Sequence, residues 1–159
     1  HLRQIDTAPA VLERVGAGAV ADVLGAAGCS AVTMLPRGIG DYRARDGGLD
    51  NLVTAKDLGL VMVAVANRTV GPESVGVQAE RILSAQEHRD KIPAGLPAGS
   101  YAANKTGWIS TVSHDVAVVR PAQASPYVLA VCTTTSVPEQ VASALIASMS
   151  SSVWEGWTG

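Results

Sequence analysis

The sequence predicts an α+β domain: an antiparallel sheet with three strands from this chain, flanked by helices and joined to a helical subdomain. Two observations carry this. Apolar residues recur at helical spacing before residue 95, and three β-type runs separated by short loops follow it, with one more helical stripe at the end. The chain reads as a single domain over 1–159, with 1–95 mainly helical around a long loop at 29–53, and 96–159 holding the sheet and last helix.

In order, Val11, Leu12 and Val15 predict a helix over Ala8–Val15, capped by Asp6. Val20, Val23 and Leu24 predict a second over Ala19–Ala27, stopped by Gly28 as a left-handed cap. The period is then lost. Pro36, Gly38, Gly40, Gly47 and Gly48, with charges between them, predict an ordered loop without elements of its own. Thr54 caps a helix running to about Asn67, apolar nearly all round and expected to be buried. Glu73–Arg89 reads as a further helix with Val77, Ile82 and Leu83 inward.

Turns through Pro93–Gly99 lead to strands Ser100–Lys105, His114–Arg120 and Tyr127–Thr133, whose short connections favour hairpins. Pro138 opens a last helix striped by Val141, Leu145, Ile146 and Met149, with Ser150–Gly159 expected to fray.

Composition excludes several functions. Hydrophobic residues make up 47% and charged residues 16%, which suits a packed core rather than disorder. A net charge of −2 with no basic tract gives no footprint for nucleic acid. The apolar run Leu58–Ala66 is too short to span a bilayer, so no transmembrane segment is expected, and His1–Gln4 shows no signal-peptide pattern. Phe is absent while Ala, Val and Gly abound, in keeping with a high-GC bacterial source. The three histidines are scattered and neither cysteine has metal-ligand neighbours, so no metal or other cofactor is expected. Cys29 and Cys132 favour two free thiols, with a disulfide between them left open.

The chemistry concentrates at Lys105-Thr106-Gly107-Trp108. A Lys-Thr-Gly triplet on a strand, followed by a turn and a second strand, is one active-site element of penicillin-interacting serine enzymes. With the lead-in Leu96-Pro97-Ala98-Gly99 and the strand Ser113-His114-Asp115-Val116, the chain resembles the C-terminal part of class A β-lactamases and D-Ala-D-Ala peptidases.

The resemblance implies a serine hydrolase working by acyl-serine transfer on a β-lactam, a D-Ala-D-Ala peptide or an ester. Lys105 and Thr106 would then hold the substrate carboxylate, with Lys105 aiding proton transfer. Gly107 would leave room beside the strand, and the Trp108 N–H would face the oxyanion. Ser113 and His114 are secondary candidates for substrate contact. His114 and Asp115, being adjacent on a strand, cannot pair with each other. The plain alternative leaves Lys105 as an ordinary strand lysine.

The companions of that triplet are missing. No Ser is followed three positions later by Lys, and no Ser-x-Asn occurs. The loop at 29–53 resembles the family's omega loop but contains no Glu; Asp41, Asp46 and Asp50 are its only acids, with Arg43 or Arg45 expected to pair with them. The domain is thus expected to be incomplete and inactive alone, completed by an N-terminal companion segment or a homo-oligomer covering an exposed sheet edge. The resemblance also implies an extracytoplasmic, cell-envelope location. The alternative is a binding or scaffold relative that kept the fold without the activity.

Overall fold

The computed structural model describes residues 11 and 13–159. The expected cap at Asp6 and most of the helix Ala8–Val15 lie outside the described residues, of which 13–15 are helical. The elements that follow are α1 (Ala17–Ala26), α2 (Tyr42–Asp46), α3 (Ala55–Ala66), α4 (Glu73–Ser84), a 3₁₀ turn (Ile92–Gly95), β1 (Tyr101–Ile109), β2 (Val112–Arg120), β3 (Tyr127–Thr134) and α5 (Glu139–Thr158). Gly28 ends α1 with φ 78°, and its N–H donates to Gly25 O while that of Cys29 donates to Leu24 O.

The strands form one antiparallel sheet in the order β1-β2-β3. Tyr101 pairs with Arg120 and Ile109 with Val112, so β1 continues four residues past Lys105 into a two-residue turn. The Lys-Thr-Gly triplet therefore lies inside a strand rather than at its end.

Alternation splits the core into two layers. Ala102, Ala117 and Val119 pack with Ile92 and Ile146 on the α5 side. Ala103, Val116 and Val118 pack with Met62 on the α3 side. Ile92 and Ile146 are fully buried, each worth roughly 1.5–3 kcal/mol of apolar transfer. The 3₁₀ turn presses onto α5: a Cβ on Gly95 would stand 2.0 Å from Ala147 O, and Ser150 Oγ donates to Ile92 O at 2.9 Å.

Three expectations need correction. Helix α4 stops at Ser84, not Arg89, because Ala85 and Gln86 close it with short-range bonds to Ile82 and Leu83. Helix α5 runs to Thr158 rather than fraying from Ser150, since Ser150 is buried and bonded to the 3₁₀ turn. Helix α3 is buried on one side only; Met62, Ala64 and Val65 are inside, whereas Val63 is 40% exposed.

Candidate active site on the open edge of β1

The register decides what the edge strand offers. Thr135 N–H donates to Thr111 O at 2.9 Å, which turns the odd-numbered backbone groups of β2 towards β3 and the even-numbered ones towards β1. Ala102, Asn104, Thr106 and Trp108 stand opposite the odd positions, so their N–H and C=O groups point out from the sheet. Two side-chain bonds agree: Arg89 Nη1 reaches Ala102 O at 3.3 Å, and Lys105 Nζ donates to Thr106 O at 2.7 Å. No described strand pairs with this edge. The Trp108 N–H is thus directed outward from the sheet.

Side chains divide by face. Lys105 and Gly107 share the parity of Ala103 and so belong to the α3 face, where His114 stands opposite Gly107. A Cβ on Gly107 would meet nothing within 4 Å, so the space over the strand at this point is open. His114 Nδ1 accepts the Thr133 N–H at 3.1 Å, which leaves its Nε2 as the protonated nitrogen when the ring is neutral. Burial along the sheet lowers the pKa of the Lys105 ammonium; the Asp115 carboxylate opposes this and Lys91 adds to it.

Thr106, Trp108, Ser113 and Asp115 lie on the other face. Asp115 is fully buried, accepting from Ile92 N–H at 2.9 Å and from Asn104 Nδ2 at 3.2 Å, and burial raises its pKa. The Thr106 hydroxyl and Asn104 Oδ1 are buried and have no hydrogen-bond partner among the described residues. Ser113 is fully buried and donates to Glu139 Oε1 at 3.0 Å, which ties its side chain to the start of α5. His114 and Asp115 point to opposite faces, as strand geometry requires.

Beneath Trp108 lies a buried charge that sequence reasoning missed. Lys91, 1% exposed, pairs with Glu139 Oε1 at 2.7 Å, and its ammonium stands 4.6 Å from the centre of the Trp108 ring. His88 meets the same ring edge-on at 5.0 Å, while its carbonyl accepts from Asn104 Nδ2 at 3.1 Å. Ser143 joins Glu139 to Asp90, donating to Asp90 at 2.7 Å. Nothing local marks Lys91 as a partner of a glutamate so far along the chain. Asn104 directly precedes the Lys-Thr-Gly triplet, and only its burial and its bond to Asp115 reveal its part.

The long loop is tied down by its own acids. Arg37 pairs with Asp50, Asp41 caps α2 by accepting the Ala44 N–H, and Arg45 pairs with Asp46. Arg37, not Arg43, is thus the partner of Asp50, and the Asp41 cap supports the short helix α2 that the glycine-rich sequence concealed. The loop's neck is closed by the Met34–Leu52 bridge. It is anchored on Asp57, whose buried carboxylate accepts from Ser30 N–H, Ser30 Oγ and Thr33 Oγ1; these bonds hold its pKa well below the usual carboxylate range. Cys29 and Cys132 are free thiols, with Cys29 donating to Asp57 O at 3.6 Å. Among the described residues no three His, Cys, Asp or Glu side chains gather as a metal site, and no helix is long and apolar enough to cross a membrane.

Comparison with known proteins gives a consistent picture. The model of the β-lactamase enzyme family matches residues 6–157. The structure of PBP-A is 22% identical with a TM-score of 0.80, covering 92% of this chain and 53% of its own. A β-lactamase from Sphaerobacter thermophilus is 19% identical with a TM-score of 0.82, covering 94% and 56%. The extended-spectrum β-lactamase TLA-3 is 16% identical with a TM-score of 0.83, covering 94% and 58%. A further structure shows a PBP-A mutant as an acyl-enzyme with penicillin G, at 22% identity and TM-score 0.73, covering 86% and 50%. The chain spans just over half the length of the first structures it matches. No curated protein sequence matches it.

Proposed function

Since the chain belongs to the β-lactamase enzyme family, we propose that it supplies the anion-binding and oxyanion wall of an acyl-serine transfer site. The observation that carries this is the pairing, on one open strand edge, of the Lys105 ammonium with the outward Trp108 N–H. Lys105 holds a substrate carboxylate by charge. The Trp108 N–H donates to the carbonyl oxygen as negative charge develops there, an interaction that strengthens towards the transition state. Gly107 leaves the strand open to the acyl group, and Thr106 adds the carboxylate contact only if its buried hydroxyl turns out to the edge. His114 lines the same face. Ser113, bonded to Glu139, takes no part.

The nucleophilic serine comes from outside these residues, on a companion segment or another chain that completes the domain. A β-lactam, a peptide ending in D-Ala or an ester each presents the acyl group and acceptor oxygen this wall serves. PBP-A, acylated by penicillin G in its mutant form, supports a β-lactam as the probe. An extracytoplasmic location follows from the same reading.

A specific observation favours slow turnover or pure binding over rapid hydrolysis. The loop at 29–53 has no Glu, and each of its three Asp side chains is engaged within the loop. The loop therefore offers no glutamate to activate a deacylating water. Incubation of the assembled protein with a fluorescent penicillin, followed by mass spectrometry of each polypeptide, tests both readings. A stable adduct on the completing segment supports acyl transfer with slow release. Absence of any adduct leaves a binding module and refutes the enzyme.

A further inference from the structure

A concavity of about 540 Å³ opens between the end of α3, helix α4 and the start of β1, lined by Arg68, Glu80, Arg81, Tyr101 and Arg120 among others. It lies apart from the edge described above: Tyr101 and Lys105 are four strand residues distant, about 13 Å. Three arginines face one glutamate here, so the lining is cationic in a chain whose net charge is −2.

The single carboxylate is already used. Glu80 is 6% exposed; Arg120 donates to it through Nε at 2.8 Å and Nη2 at 3.1 Å, and Tyr101 Oη adds a bond of 3.2 Å. These bonds hold the Glu80 pKa down, led by Arg120. Arg68 and Arg81 make no side-chain hydrogen bond or ion pair with a described residue. The concavity is therefore richer in donors than in acceptors. Arg68 also sits at φ 61°, a left-handed backbone that costs a non-glycine residue about 1–2 kcal/mol. Its Cα is held close to α4, since a Cβ on Gly76 would stand 2.9 Å from it.

We propose that this concavity is an anion site for a phosphate group, with Arg68 and Arg81 as its ligands and Arg120 as a neighbour pre-set by Glu80. Arg68, which acts on Glu80 by charge alone, and Arg81 form no ion pair with a described residue, so their N–H donors are additional to those Glu80 accepts. A phosphate dianion has oxygens enough to bridge both forks. The group arrives either as free inorganic phosphate or as a phosphomonoester.

Calorimetric titration of the assembled protein in about 150 mM salt, first with inorganic phosphate and then with glycerol phosphate, tests this. Saturable binding with Kd near or below about 1 mM is expected, and the tighter of the two names the source. Arg81→Gln and Arg68→Gly each weaken it by roughly tenfold or more, as loss of a charge-assisted bond requires. Arg68→Gly does so with melting temperature unchanged or raised, because glycine relieves the backbone, and Arg68→Lys retains part of the affinity. Binding to wild type weaker than about 10 mM and equal for sulfate, an adventitious ion only, overturns the proposal. So does wild-type affinity in Arg68→Gly.

Discussion

The ammonium of Lys91 lies 4.6 Å from the centre of the Trp108 ring while the same nitrogen is 2.7 Å from Glu139, so an ion pair built on a buried lysine forms the floor under the edge strand. Removing Glu139 strands the buried Lys91 charge, whereas removing Lys91 leaves a glutamate that water still reaches. Glu139→Gln is expected to cost roughly 2–3 kcal/mol in urea unfolding of the assembled protein, and Lys91→Met with Glu139→Gln to recover part of it. Additive losses in that double-mutant cycle would show that the pair is not coupled.

On the proposed function, Lys105 sets the alkaline limit of substrate capture. Burial lowers its pKa from the ordinary 10.5, so the protonated form is lost as pH rises through that lower value. Acylation by a β-lactam bearing a carboxylate is expected to fall on a limb below pH 10.5. Lys105→Ala should slow acylation by about 10–100-fold and remove the limb, and Lys105→Arg should move it upward. A pH–rate profile unchanged in Lys105→Ala would exclude the residue from the site.

Gly107 separates packing from function. Nothing lies within 4 Å of where its Cβ would be, and its backbone is not left-handed. Gly107→Val should leave stability unchanged or raise it by about 0.5–1 kcal/mol, as expected for replacing a strand glycine. The same change should obstruct acylation at least tenfold if substrate lies over the strand. Thermal melts alongside penicillin labelling give both readouts, and unchanged labelling would place the substrate elsewhere.

Asp57 makes the long loop acid-sensitive. Its folded pKa is depressed below 3.8, led by the Thr33 and Ser30 bonds, so its contribution is fully present above 3.8 and is lost as pH falls towards the folded value. Hydrogen-exchange protection over 30–54, taken relative to the intrinsic amide rate at each pH, is expected to fall below pH 4. Asp57→Asn should remove that acid dependence and lower the melting temperature by about 5 °C or more at neutral pH. Exchange insensitive to acid in the wild type would show that the loop is held by other contacts.

The readable and unreadable parts of this chain differ by the range of the interactions that decide them. The three strands and the Gly28 cap were legible because alternation and a left-handed turn are local. The Lys-Thr-Gly triplet was legible for the same reason, though its register was not: β1 runs on to Ile109 only because β2 pairs with it there. Helix α2 hides among glycines and is set by a single Asp41 cap. Asp57 reads as an acid in a first helical turn, and only folding brings Ser30 and Thr33 onto it. Lys91 and Arg68 carry no pattern at all, since their meaning depends on Glu139 and on what Glu80 has already bound.

The close approach of Gly95 to Ala147 makes the 3₁₀ turn and the last helix one mechanical part. Any side chain at position 95 would wedge the helix outward, and the start of β1 would travel with the turn. Residues on the helix around Ala147 and Ser150 therefore hold the turn from which β1 departs. Variation at that contact would reach the strand through the turn, leaving the side chains of β1 themselves unchanged.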